Sequence, residues 1–146
     1  MKHINAVGIM LILLTGFYPP NLFADADAQE IVIIGNQNTA DSVTKGEIKE
    51  IFLGKKTRWA DNTGLTFVIF KDEETYGAFL KAYVGKTVSQ YSSYWKIQVF
   101  NGTGRMPQFF QDKAQVLKFV SETQGAVAFL SSGKIAADRV KILSVK

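Results

Sequence analysis

Cysteine is absent from the chain and histidine occurs once, as His3. The first absence excludes a disulfide framework and a lipid-modified cysteine. If the first residues are removed, the second excludes histidine-based triads and ordinary zinc sites, and thiol catalysis goes with the missing cysteine. An enzyme would have to work with Asp/Glu, Lys or Tyr alone. Long apolar runs are lacking too: the longest, Ala6 to Phe17, has about twelve residues, against roughly 20 for a membrane span. No internal repeat, low-complexity tract or interdomain linker interrupts the sequence.

What is present at the start reads as an export signal. Lys2 and His3 give a cationic beginning, Ala6 to Phe17 an apolar core, and Ala24-Asp25-Ala26 a small-residue cleavage site, with Ala28 as the alternative end. A retained anchor is the competing reading, and the short core argues against it. Residues 1–26 are therefore expected to be a signal peptide and residues 27–146 a single domain of a periplasmic protein, with no membrane span after cleavage. The signal carries one basic and one acidic residue, Lys2 and Asp25, so the net charge stays at +4. That mild excess favours anions without selecting one.

Along residues 27–146 the pattern alternates. Glu30 to Gly35 is a β-branched run ended by Gly, a strand buried on both faces, and polar Asn36 to Ser42 follows as loop. Thr44 and Glu47 have capping-box spacing, Ile48, Ile51 and Phe52 share one helical face, and Gly54 stops the helix of about Lys45 to Leu53. Lys55 to Gly64 reads as exposed loop and Leu65 to Phe70 as a second strand. A helix opens at Asp72 or Glu73 and stops at Gly85, and another is capped by Thr87 or Ser89. Phe100 to Pro107 breaks regular structure. A helix from near Asp112 and strands at Ala126 to Leu130 and Val140 to Val145 complete a layered α/β domain with a mixed sheet.

Ile51-Phe52-Leu53-Gly54-Lys55 followed by Trp59 resembles the "helix, I-F-x-G-K, then Trp" segment of periplasmic phosphate-binding proteins of ABC transporters. Trp95 followed by Phe100-Asn101-Gly102, Pro107 shortly after, and Gln124 to Phe129, similar to that family's "pGAIGY" strand, extend the likeness over Glu30 to Leu130. The resemblance implies a three-layer mixed-sheet lobe of a type 2 periplasmic binding protein, a non-enzymatic transport role and no cofactor. Two features depart from it. The chain is about the size of one lobe where the family closes two over its ligand. The family's Gly-Ser-Gly-Thr turn is here Lys71-Asp72-Glu73-Glu74-Thr75, and each carboxylate at ~5 Å from a phosphate charge, in an effective dielectric of about 20, would cost on the order of 3 kcal/mol.

Three groups are candidate binding residues. Gly102, Thr103, Gly104 and Arg105 suit an anion nest, with backbone N–H groups, a hydroxyl and a guanidinium, or a plain turn. Asn36, Asn38 and Thr39 follow the first strand at its carboxyl end, where open α/β sheets place ligands, or simply form a loop. Lys55, Lys56 and Arg58 beside Trp59 suit an anionic partner, such as an envelope protein or transporter component, or a solvated face. The aromatic middle (Tyr91, Tyr94, Trp95, Phe109, Phe110) reads as core in preference to a nucleic-acid stacking surface, so no nucleic-acid partner is expected. Asp72, Glu73 and Glu74 are consecutive and diverge around a helix start, a poor acid/base pair. The reading is a binding module for a small phosphate-like oxyanion, the alternative a protein-interaction or sensor module of the envelope.

Overall fold

Six strands form one mixed sheet in the computed structural model, which describes residues 30–133, 135 and 138–146. The expected signal, residues 1–26, lies outside them. In chain order the elements are β1 (Ile31–Gly35), β2 (Ser42–Val43), α1 (Lys45–Phe52), β3 (Thr66–Phe70), α2 (Glu73–Phe79) continuing as a π-helical turn (Leu80–Val84), α3 (Val88–Phe100), β4 (Gln108–Phe110), α4 (Lys113–Glu122), β5 (Ala126–Ser131) and β6 (Lys141–Val145). The sheet order is β2-β6-β1-β5-β3-β4. No described helix is long and apolar enough to cross a membrane.

The helix starts follow the sequence. Thr44 and Glu47 make a reciprocal capping box, with Glu47 N–H donating to Thr44 Oγ1 at 3.1 Å and Thr44 N–H to Glu47 Oε2 at 2.9 Å. Thr87 and Gln90 do the same for α3, and Asp72 and Asp112 cap α2 and α4. Two strands escape the sequence reading. β2 lies at the end of a polar loop and β4 within the aromatic stretch, and both are edge strands of two and three residues, too short for an alternation to register. Phe100 also belongs to α3 and not to the break that follows it.

β5 is buried along its whole length, so both faces of the sheet are covered. On one face Phe129 meets Phe52 of α1 and stacks on Phe79 of α2 at 3.8 Å, while Phe67 of β3 meets Trp95 of α3. The other face, with Ala128 and Leu130, is closed by α4 through Val116 and Val120. This is the three-layer α/β arrangement. β3, β4 and β5 run parallel, whereas β1 is antiparallel to β5. The carboxyl end of β1 therefore lies at the amino end of β5, where Asn36 N–H donates to Ala126 O at 2.9 Å.

Candidate functional site: a cationic cleft at two helix ends

The last carbonyls of α1 are all accounted for, and that accounting shapes the site. Lys49 O accepts from Leu53 N–H, Glu50 O from the N–H groups of Lys55 and Lys56, and Ile51 O from Gly54 N–H. The Phe52 and Leu53 carbonyls accept from α3 side chains instead, Tyr91 Oη at 2.6 Å and Tyr94 Oη at 2.7 Å. Two tyrosines thus fasten the Gly54-Lys55 turn against α3. Burial pushes both phenols above their ordinary range, so they remain donors.

The same side of α3 leads into Gly102 to Arg105. Thr57, Lys55, Tyr94, Trp95, Gln98, Thr103, Gly104 and Arg105 line one open cleft of about 590 Å³, with Leu53 and Gly54. The benzo edge of Trp95 forms its floor. A Cβ added to Gly104 would stand 3.0 Å from Trp95 Cζ3, which explains the small residue there. The indole N–H points away, close enough to the Tyr91 oxygen to favour its phenolate slightly but not aligned into a hydrogen bond, and has no other acceptor among the described residues.

The expected anion nest is corrected by this geometry. α3 continues to Phe100, so Gly102, at φ 69°, is its left-handed terminator. Gly102 N–H donates to Val99 O, and the Thr103 and Gly104 N–H groups both donate to Gln98 O at 2.9 and 3.2 Å. The Thr103 hydroxyl is also taken, by Gln98 O and Oε1. These donors cap a helix and do not face a ligand. Of the four, only Arg105 keeps a side-chain donor without a partner among the described residues, and it shares the cleft with Lys55, about fifty residues away in sequence.

The cationic patch is likewise divided. Lys56 is bound to Glu47 Oε1 at 2.5 Å, which, with the Thr44 N–H, holds the Glu47 carboxyl down to about 2. Arg58 donates to Asn62 O at 2.9 Å. Trp59 is only 8% exposed and its Nε1–H donates to Gly125 O at 2.9 Å, so its ring anchors the loop to β5 and offers little to a partner.

Asn36 and Thr39 are buried as well. Asn36 Nδ2 donates to the Val120 and Ser121 carbonyls of α4, its Oδ1 accepts from Asn38 N–H, and Thr39 Oγ1 donates to Asn36 O. The Asn36 amide nitrogen holds the end of β1 to α4 while the other bonds close the turn, and the antiparallel course of β1 removes this end from the carboxyl ends of the parallel strands. Only Asn38 remains exposed, in a separate hollow with Asp61, whose carboxylate disfavours anions. Sequence reasoning missed Thr57, Tyr94 and Gln98 in the cleft. The signal for Gln98 was the helical period running on to Phe100 with Gly at the terminator position.

No protein-family model and no curated protein sequence matches the chain. Its fold does match solved structures. A Clostridium perfringens protein solved with bound phosphate, described as a phosphate ABC transporter substrate-binding protein, superposes with a TM-score of 0.61 at 20% identity, over 79% of this chain and 44% of that one. PstS from Borrelia burgdorferi gives 0.61 at 15% identity over 80% and 47%. An ABC-type phosphate transport receptor from Vibrio cholerae gives 0.52 at 17% over 79% and 45%. This chain thus spans less than half the length of each of these structures.

Proposed function

We propose that this chain, which has the fold of one part of such substrate-binding proteins, is an exported, non-enzymatic binding module that takes a small phosphate-like oxyanion weakly in the Lys55–Arg105 cleft. One observation carries the reading: two cations from distant loops converge on a cleft that no Asp or Glu lines among the described residues. The phosphate named for the solved neighbours is consistent with it. Weak binding follows from the geometry. The cleft is open, the nearby N–H groups are taken, and the carboxyl ends of α1 and α3 direct partial negative charge toward it. A cation at ~4 Å from an anion contributes about 1 kcal/mol in bulk water and about 4 kcal/mol near a protein surface. Two such contacts set against the cost of immobilising the ion give a Kd on the order of millimolar.

Calorimetric titration with phosphate and sulfate, at low and physiological salt, tests this. Heat that is lost in Arg105→Ala and in Lys55→Ala supports the reading, and no heat at millimolar anion removes it.

The open shape and the capped N–H groups favour a second reading, in which the cleft receives a carboxylate or phosphate carried on an envelope protein or transporter component. Binding of an acidic peptide by wild type but not by the Lys55→Ala/Arg105→Ala double variant, with free anions silent, would select it.

A further inference from the structure

Trp95 also borders a second cavity, which neither the nest nor the cationic patch accounts for. β3 and β4 run side by side, and the residues just past their carboxyl ends, Lys71 and Gln111, border a pair of adjoining hollows. That is where parallel sheets leave space for ligands. The inner hollow, about 110 Å³, is bounded among others by Lys71, Tyr76, Val88, Ser92, Met106 and Phe109. Lys71, Tyr76 and Val88 also line the outer one of about 330 Å³, so the two are contiguous.

Tyr76 is the informative residue. It is 95% buried, by the complement of its 5% exposure, yet its hydroxyl makes no hydrogen bond among the described residues. Nor is it sealed in, because the only enclosed side-chain polar atom left without a partner among those residues is the Trp95 N–H. The phenol therefore presents a donor to the cavity, and burial raises its pKa so that it keeps its proton. The ring is buried while the hydroxyl reaches the cavity wall, where an acceptor on a ligand can take the place of water. Lys71 Nζ stands over the Phe109 ring, 5.7 Å from its centroid, which holds the ammonium beside the same space.

We infer a second binding site here, for a small monocarboxylate with an apolar body. The carboxylate would meet the Lys71 ammonium and the Tyr76 hydroxyl, with Ser92 as a further donor. Val88, Met106 and Phe109, which are 43%, 49% and 38% exposed, would cover the apolar part and be covered by it. Asp72 and Glu73 line the outer hollow and repel anions there, so the carboxylate belongs in the inner hollow, which no Asp or Glu lines among the described residues, and a dianion is disfavoured more than a monoanion. Asp72 accepts from Thr75 N–H and Oγ1, bonds that keep its carboxyl below the usual range and hence charged. The inner volume corresponds to only about three or four waters at ~30 Å³ each, which limits the ligand to short branched or single-ring acids.

Benzoate and isovalerate, titrated by amide NMR on the full-length domain with benzamide as the neutral isostere, test the inference. Saturable shifts at Val88, Ser92 and Phe109 are expected, with benzamide binding at least about tenfold more weakly and Tyr76→Phe and Lys71→Gln each lowering benzoate affinity at least about threefold. Equal binding of benzoate and benzamide would overturn it. So would unchanged binding in both variants, provided that their melting points match the wild type, or no saturation by about 50 mM. Shifts at Lys55 and Arg105 with phosphate report the other cleft, so either reading can fail alone.

Discussion

Tyr91→Phe removes one buried oxygen and nothing else, and so isolates the bond that fixes the end of α1 behind the cleft. Tyr91 has no exposed surface, and its hydroxyl is the sole donor found for the Phe52 carbonyl among the described residues. The space left by one oxygen is too small for a water, so the carbonyl stays unpaired at a cost of about 1–3 kcal/mol. In a domain of this size, ~1 kcal/mol lowers Tm by roughly 3–6 °C. Tyr94→Phe is the control. Its bond to Leu53 O is of similar length, but Tyr94 is only half-buried, so water replaces the lost donor and the expected loss is below about 1 kcal/mol. Urea unfolding followed by tryptophan fluorescence measures both. The pH dependence gives a second check. The folded Tyr91 phenol titrates above the 10.0 of the unfolded chain, so its stabilising contribution is complete below pH 10 and declines as pH rises beyond it. The gap between wild type and Tyr91→Phe should therefore narrow in alkali. Equal losses below about 0.5 kcal/mol in both variants would refute the carbonyl accounting at the end of α1.

At the other end of α1, Glu47 has a carboxyl held at about 2 in the folded chain against 4.5 unfolded, so its contribution is present above about pH 4.5 and is lost as pH falls toward 2. The pair with Lys56 is partly exposed and screened, so Glu47→Gln should cost about 0.5–1 kcal/mol at pH 7 and flatten the acid limb of a stability–pH curve. Trp59→Phe leaves Gly125 O without its indole donor and opens a gap under the loop. A loss of about 2–4 kcal/mol in urea unfolding is expected, together with faster amide exchange across Lys55 to Gly64.

Much of the layered fold could be read along the chain. The capping pairs Thr44/Glu47 and Thr87/Gln90 and the run Ile31 to Gly35 are local signals, and each became the element that its residues favour. The candidate site was legible only in part. Lys55 and Arg105 were visible as free cations, but nothing local said that they share a cleft. The Gly102-Thr103-Gly104 pattern suits a nest and a helix terminator equally well, and the length of α3 decided between them. Asn36 followed a strand end as a ligand residue would, and its amide turned out to bind the α4 carbonyls 84 and 85 residues away.

The sequence by itself determined the chemistry available here: no thiol, no imidazole outside His3, a mild cationic excess, and amphipathic segments whose periods match helices and strands. Those properties depend on residue identity and near-neighbour spacing, which folding does not alter. Only the tertiary structure decided which donors remain free. Backbone N–H groups, the Trp59 indole and the Asn36 amide are interchangeable binding groups until packing assigns them partners. The assignments came from the crossing of α3 over the end of α1 and the antiparallel placement of β1 against β5, contacts between residues too far apart in the chain for any local pattern to encode.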